Sequence, residues 1–264
     1  MRVKRVLIFD SGVGGLSVYQ EIYAQLPHLH YIYAFDDAAF PYGELPEGEL
    51  IERASHIIGL LVARHQIDLV VVACNTASTI VLPTLREQLT IPVVGVVPAI
   101  KPAAALSERK VIGLLATPAT VQRAYIDSLI SQFASDCDVM RIGSTRLVEM
   151  AEEKLRGEAV SIEEVREILQ PWQACVDSIV LGCTHFPLIK EEIRAAFQAP
   201  VQIIDSGKAI ASRVKALLGE VAGEENPLPN LTYNSAAGKS LAALNQSLER
   251  LHLQPVTSLN YPRS

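Results

Sequence analysis

The 264-residue sequence has little that would suit it to a nucleic acid or a membrane. Its 23 basic and 29 acidic side chains give a net charge of −6, with no long basic run and no basic stretch interleaved with aromatics. Nucleic acid and anionic membrane surfaces are therefore not expected as partners. No uncharged stretch reaches the roughly 18 residues needed to cross a bilayer, so no transmembrane helix is expected either.

Aromatic residues are also scarce, at 6% of the chain, whereas hydrophobic residues make up 49%. This aliphatic-rich composition is typical of a globular protein rather than a disordered one. Cysteine occurs at four positions, 74, 137, 175 and 183. We expect free thiols, because disulfides belong to oxidising compartments and mainly brace small secreted domains. Asp10 ends the first apolar run far short of a secretory core, so we expect a cytoplasmic protein.

Apolar, β-branched runs alternate with helical patterns along the chain, which is typical of an α/β fold. Strands are predicted at residues 6–9, 31–35, 69–73, 93–97, 111–115, 179–181, 201–204, 231–235 and 256–261. Three helices are predicted over residues 49–65, 161–174 and 236–251. Three more are predicted to end near residues 26, 133 and 219, and another begins at residue 76 with a kink or break at Pro83. We predict two pseudo-symmetric, doubly wound parallel-sheet domains with the active site in the cleft between them.

The two halves of the sequence repeat one plan. Asp10 and Thr117 follow the first strand of each half, and 117 − 10 = 107. Cys74 and Cys183 follow a later strand of each half, and 183 − 74 = 109. We predict a first domain of residues 1–97 with 208–264 and a second domain of residues 98–207. In a pseudo-twofold arrangement the two cysteines would face each other.

Cys74 and Cys183 each end a buried strand and precede a polar residue, which is where open α/β sheets hold ligands. A single cysteine in an apolar strand is usually a core residue, and that interpretation suits Cys137 and Cys175. A thiol pKa of about 8.5 falls towards 7 beside a helix N-terminus or a cation. Two thiols on opposite faces of one carbon can invert it, because one removes a proton while the other supplies one.

Polar residues beside each thiol suggest how it is tuned. Asp10 and His185 are candidates to orient or charge-couple the thiols. Asn75, Thr76, Thr184 and the Ser11 N–H are candidates to hold carboxylate or ammonium groups. A dithiol redox protein and a non-catalytic small-molecule binder remain alternatives. A zinc site is disfavoured because the spacings of metal motifs are missing, and we expect no metal.

Four motifs, in order, resemble those of the glutamate racemases, in the aspartate/glutamate racemase superfamily. They are FDSGVGGLS at residues 9–17, FPYG at 40–43, ACNTA at 73–77 and LGCTHFP at 181–187. The resemblance runs from about residue 5 to beyond residue 207. It implies a cofactor-independent racemase that interconverts L- and D-glutamate and supplies D-glutamate for peptidoglycan and cell-wall biogenesis. Aspartate racemases share the cysteine pair and are the closest enzymatic alternative.

The resemblance also implies individual roles. The residue matching Cys74 takes the proton from D-glutamate with help from Asp10, and the residue matching Cys183 takes it from L-glutamate with help from His185. The acidic residue that the family has near the second cysteine is either Glu149 or Glu152. Both lie in a segment that continues as a helix through residues 153 and 154, and alignment on this helix favours Glu152. Substrate contacts are implied at Asp10, Ser11, Tyr42, Gly43, Asn75, Thr76, Thr184 and His185. A homodimer is expected, and a cell-wall precursor is a candidate regulator.

Overall fold

The computed structural model describes residues 2–219, 228–236 and 241–261. Strands are β1 Arg5–Asp10, β2 His30–Phe35, β3 Leu69–Val72, β4 Val93–Gly95, β5 Val111–Ala116, β6 Asp138–Gly143, β7 Ser178–Leu181, β8 Gln202–Ile204, β9 Leu231–Asn234 and β10 Thr257–Ser258. Helices are α1 Leu16–Gln25, α2 Glu47–His65, α3 Asn75–Gln88, α4 Ile100–Leu106, α5 Pro118–Val121, α6 Ala124–Phe133, α7 Arg146–Leu155, α8 Ile162–Ile168, α9 Lys190–Ala195, α10 Gly207–Leu218 and α11 Ala242–Arg250.

The chain divides into two compact units, Met1–Val96 with Gly207–Ser264 and Val97–Ser206. The first unit contains a parallel sheet of order β10-β9-β2-β1-β3-β4. Strands β2 and β3 are buried along their whole length, as expected when helices cover both faces of a parallel sheet. Helix α2 packs five aliphatic side chains into the core of this unit: Leu50, Ala54, Ile57, Ile58 and Leu61.

The second unit contains a four-stranded parallel sheet of order β6-β5-β7-β8. This order repeats β2-β1-β3-β4 of the first unit, so β5 corresponds to β1 and β7 corresponds to β3. Trp172 is fully buried against Gly113 of β5, where a Cβ would lie 2.9 Å from the indole ring. Two parallel sheets with interleaved helices agree with the predicted α/β class.

Several boundaries differ from the sequence-based ones. Helix α3 runs through Pro83, so of the predicted kink or break the break is wrong. Helix α8 ends at Ile168 rather than near residue 174. No bounds were predicted for strand β6 or for helices α4, α5, α7 and α9. The predicted helix over 236–251 is observed from Ala242, and its residues 237–240 lie outside the described part of the chain. Within residues 2–219, 228–236 and 241–261, no helix combines the length and apolarity needed to span a membrane.

Candidate active site

Cys74 lies between the end of β3 and the start of α3. It is the N-cap residue of α3, and its Sγ accepts a hydrogen bond from the Ala77 N–H at 3.5 Å. The side chain is buried, with 6% exposure. Because a helix N-terminus carries a partial positive charge, this position favours the thiolate over the thiol.

Asp10 ends β1 and organises the glycine-rich turn that follows it. Its carboxylate is fully buried and accepts the Ser11 N–H at 2.7 Å and the Gly15 N–H at 2.6 Å. The Ser11 hydroxyl lies 3.4 Å from Asp10 Oδ1 and 3.7 Å from Cys74 Sγ. The structure therefore brings Asp10, Ser11 and Cys74 into one group, with the Ser11 hydroxyl between the carboxylate and the sulfur.

The motif residues of segment 40–43 lie in the same unit. Tyr42 and Gly43 belong to a single 3-10 turn, Tyr42–Glu44, and Tyr42 is buried in the same cluster as Cys74. The Tyr42 hydroxyl donates to the carboxylate of Asp36, a residue that the sequence analysis did not select. Burial and the Asp36 carboxylate raise the pKa of Tyr42, so its hydroxyl stays protonated. Gly43 is the more accessible of the two, because it is half-buried.

Asn75 and Thr76 form the first residues of α3, and both are 4% exposed. Among the described residues, the Asn75 Nδ2 atom is buried without a hydrogen-bond partner. Buried amide groups are nearly always bonded, so an unused donor next to Cys74 is the kind of group that a ligand carboxylate satisfies. Asn75 therefore combines burial, an unused donor and a place in the first turn of the helix that Cys74 caps.

The second thiol has a different set of neighbours. Cys183 follows β7 and Gly182, and it is 7% exposed. Its Sγ lies 3.7 Å from Nδ1 of His185, and Nε2 of His185 lies 2.9 Å from Oε1 of Glu152 on α7. Thr184, between them in sequence, is also buried. The second unit thus holds a sulfur, an imidazole and a carboxylate in a row.

The phase of α7 separates the two candidate glutamates. Glu152 points to His185 and also accepts from Arg156 Nη2 at 3.4 Å. Glu149 lies on the exposed side of the helix and bonds Arg146. The contact with His185 therefore favours Glu152 as the assisting acid.

Burial alone would lower the pKa of the fully enclosed His185 imidazole, but hydrogen bonds to Cys183 and Glu152 outweigh it. The pKa of His185 is therefore raised well above 6.5. The carboxylate fixes the proton on Nε2, and the second proton of the imidazolium then points from Nδ1 to the sulfur.

The raised pKa of His185 predicts a pH-dependent contribution to folding. A group whose pKa is raised in the fold stabilises it fully below its unfolded pKa of about 6.5, and that contribution is lost as the pH rises through the folded pKa. We expect His185→Asn to reduce the free energy of unfolding most near pH 6 and progressively less at alkaline pH. Urea denaturation of both proteins between about pH 6 and about pH 10 measures this difference. A difference that stays constant over the range would contradict the assignment.

The other two cysteines have unremarkable surroundings. Cys137 contacts the neighbouring Asp136 carboxylate, and Cys175 contacts the sulfur of Met140. All four cysteines are free thiols. The part of the chain that the structure describes holds no group of three or more His, Cys, Asp or Glu side chains arranged to bind a metal.

Comparison with known proteins places these features in one family. A model described as Asp/Glu/Hydantoin racemase matches residues 7–214. The chain belongs to the Asp/Glu/hydantoin racemase family. The curated relatives of this family member include glutamate racemase from Aliivibrio salmonicida, 58% identical over 99% of this chain and 98% of that protein. Glutamate racemase from Vibrio cholerae is 57% identical over 98% of this chain and 97% of that protein.

A solved structure of the same family is similar over nearly the whole chain. The Escherichia coli glutamate racemase, crystallised with L-glutamate and the activator UDP-MurNAc-ala, has a TM-score of 0.93 and 47% identity, over 98% of each chain. The predicted resemblance to glutamate racemases is confirmed, as is the α/β class with two parallel sheets.

Proposed function

We propose that this family member interconverts L- and D-glutamate in the cytoplasm, without a cofactor, and supplies D-glutamate for peptidoglycan. The observation that carries this proposal is the pair of buried thiols, each at the end of the corresponding strand of its unit and each beside its own polar partners. The 58% identity to a curated glutamate racemase supports glutamate as the substrate.

The proposed chemistry is proton transfer by two bases. The Cys74 thiolate takes the α-proton of D-glutamate while the Cys183 thiol gives its proton to the opposite face of the α-carbon, and the reverse reaction exchanges these roles. The turn of Asp10 and Ser11 assists Cys74, and the imidazole of His185, held by Glu152, assists Cys183. Positioned acid–base groups of this kind contribute about 10²–10⁴ in rate.

We propose that short donors on the same elements hold the substrate. The unused Nδ2 of Asn75 supports a contact with a carboxylate, and Thr76 and Thr184 lie beside the two thiols. For Tyr42 the hydroxyl is already bonded to Asp36, so its contact with substrate would use the backbone of the Tyr42–Gly43 turn. We further propose that the two compact units are the two domains of the racemase and that the protein is a homodimer, which size-exclusion chromatography with light scattering can test.

Incubation with single amino acids in deuterated water tests the function. We expect L-glutamate to exchange its α-proton and lose optical activity without any added cofactor, whereas L-aspartate should do neither. Inversion of aspartate but not glutamate would make the protein an aspartate racemase, and no reaction with either would refute the racemase proposal. A reversible disulfide between Cys74 and Cys183 with no exchange would instead indicate a dithiol redox protein.

A cavity of about 500 Å³ in the first unit is the candidate site of a regulator. The exposed arginines Arg86, on α3, and Arg213, on α10, line it together with apolar residues around β4. Paired arginines suit phosphate groups, because the guanidinium fork binds their oxygens with two hydrogen bonds. We propose that a nucleotide-linked cell-wall precursor binds here, in keeping with the activator bound by the E. coli protein.

The regulatory proposal predicts a change in the response to the precursor. We expect the ratio of rates with and without UDP-MurNAc-Ala to fall towards one in the double variant Arg86→Ala/Arg213→Ala, because the phosphates lose both guanidinium partners. Arg194→Ala, an exposed arginine of the second unit, serves as the matched control. An unaltered activation ratio in the double variant would place the regulator elsewhere.

A further inference from the structure

The carboxylate of Asp36 binds a buried arginine and a buried tyrosine. Asp36 directly follows β2 and is fully buried. Arg53 of α2 donates from Nε to Oδ2 and from Nη2 to Oδ1, both at 2.8 Å, and the Tyr42 hydroxyl donates to Oδ2 at 2.8 Å. Three charge-assisted or strong hydrogen bonds therefore converge on one carboxylate that solvent does not reach.

Stability alone is a weak reason for this pair. Apolar residues of similar volume often replace a buried ion pair with no loss of stability, because two charges must be taken out of water to form it. A bidentate pair is, however, specific in its geometry, since the planar guanidinium and the carboxylate fit each other in one orientation. The arrangement is thus better suited to fixing positions than to adding free energy.

The position fixed is that of Tyr42. Its ring belongs to the buried cluster that contains Phe9 and Cys74, and its centroid lies 6.3 Å from that of Phe9. The bond to Asp36 sets the rotation of the ring and the placement of the 3-10 turn that contains it. The N–H of Asp36 also donates to the Asp10 carbonyl at 3.1 Å, which ties the network to the strand that carries the first acid.

The next residue holds the same segment from its other side. The Asp37 carboxylate accepts the Ala236 N–H at 2.9 Å, the Asn234 side-chain amide at 3.1 Å and the Ser235 hydroxyl at 3.3 Å. Two consecutive aspartates therefore anchor the start of the segment, one to α2 and one to the end of β9. The turn that follows is held between these anchors and the Tyr42 hydroxyl.

We propose that Asp36 and Arg53 are positioning residues of the racemase, which hold Tyr42 beside Cys74 and thereby present the Tyr42–Gly43 backbone to the substrate. The inference rests on the proposed function, because it takes this turn as part of the glutamate site. Neither side chain acts on the reacting atoms; each acts through Tyr42.

Steady-state kinetics of Tyr42→Phe and Asp36→Asn test this role. Tyr42→Phe removes one hydroxyl and leaves the ion pair, whereas Asp36→Asn preserves shape but removes the charge. If the turn contributes binding that is equal in the ground and transition states, the KM for glutamate should rise about tenfold while kcat changes less than about threefold. Asp36→Asn should have the larger effect because it loosens both Arg53 and Tyr42.

Leu61→Ala provides the matched control, because it removes a buried side chain two turns further along α2 without touching the network. It should lower the thermal midpoint and leave KM unchanged. An unchanged KM in Tyr42→Phe would overturn the inference, as would a rise in KM in Leu61→Ala equal to that in Tyr42→Phe. The Tyr42→Phe result is decisive even if Asp36→Asn does not fold. Racemisation by the wild type is measured first. An inactive wild type would refute the proposed function. An active wild type with an unchanged KM in Tyr42→Phe would refute only this inference.

Discussion

Replacing either Cys74 or Cys183 with alanine should abolish racemisation of glutamate, with a loss of at least about 10³-fold in kcat, since each variant lacks one of the two acid–base groups that inversion needs. The loss in kcat/KM must be equal for L- and D-glutamate, because the equilibrium constant between the enantiomers is one. Circular dichroism of the reaction mixture measures it directly. Near-normal racemisation by either variant would contradict the two-base scheme.

The other two cysteines supply the controls. Cys137→Ala and Cys175→Ala should both retain activity, because the thiols of Cys137 and Cys175 contact Asp136 and Met140 rather than any residue placed beside Cys74 or Cys183. Loss of activity in these variants would indicate that cysteine removal acts through folding. Their thermal midpoints, measured beside those of the two inactive variants, separate the cases.

Proton exchange in deuterated water shows the division of labour. A variant with one thiol can remove a proton and return a deuteron to the same face without inversion. We expect Cys183→Ala to exchange the α-proton of D-glutamate and Cys74→Ala that of L-glutamate, as detected by NMR. Exchange of the opposite enantiomers would reverse the two assignments.

His185→Asn should lower kcat/KM by about 10²-fold or more, because Cys183 loses the imidazole that lies 3.7 Å from its sulfur and assists its proton transfer. The equilibrium constant between enantiomers is one, so kcat/KM must fall equally in both directions. The asymmetry appears only in the exchange of the α-proton with solvent, whose rate should fall far more for L-glutamate than for D-glutamate. Equal losses of exchange for both enantiomers would show that His185 does not serve Cys183 alone.

Glu152→Gln and Glu149→Gln form a matched pair on α7. We expect Glu152→Gln to lower kcat by about 10–100-fold, as is typical when the partner that orients a functional imidazole is changed. Glu149→Gln should leave kcat unchanged, because that side chain is exposed and bonds Arg146. A larger loss in Glu149→Gln would transfer the assisting role to that residue.

The sequence predicts the central strands well because their β-branched runs are buried on both faces. Strand β6 was not predicted because all of its residues are exposed or half-buried and two of them, Asp138 and Arg141, are charged. Helix α4 was not predicted because Pro98 precedes it and Pro102 lies within it, and proline is more typical of turns than of helix interiors. The choice between Glu149 and Glu152 depends on the phase of α7, which spacing along the chain indicates only loosely.

Asp36 and Arg53 were missed although the sequence carries a signal for both. Asp36 directly follows β2, and Asp10 is the last residue of the neighbouring strand β1, so an aspartate lies at the carboxyl end of each strand. Arg53 lies at helical spacing from Leu50 and Ile57, on the face of α2 that is otherwise apolar. A charge on such a face requires a partner of opposite sign, and the partner cannot be identified until the fold brings the two together.

Both thiols are buried, with 6% and 7% exposure, and this has a kinetic consequence. In a two-base racemase each turnover leaves the proton on the other sulfur, so the free enzyme exists in two isomeric forms, one ready for each enantiomer. A second turnover in the same direction must wait until these forms interconvert through water. Under the proposed two-base scheme we expect limited solvent access to slow that step, which would leave the free protein for longer in the form that accepts the enantiomer just released.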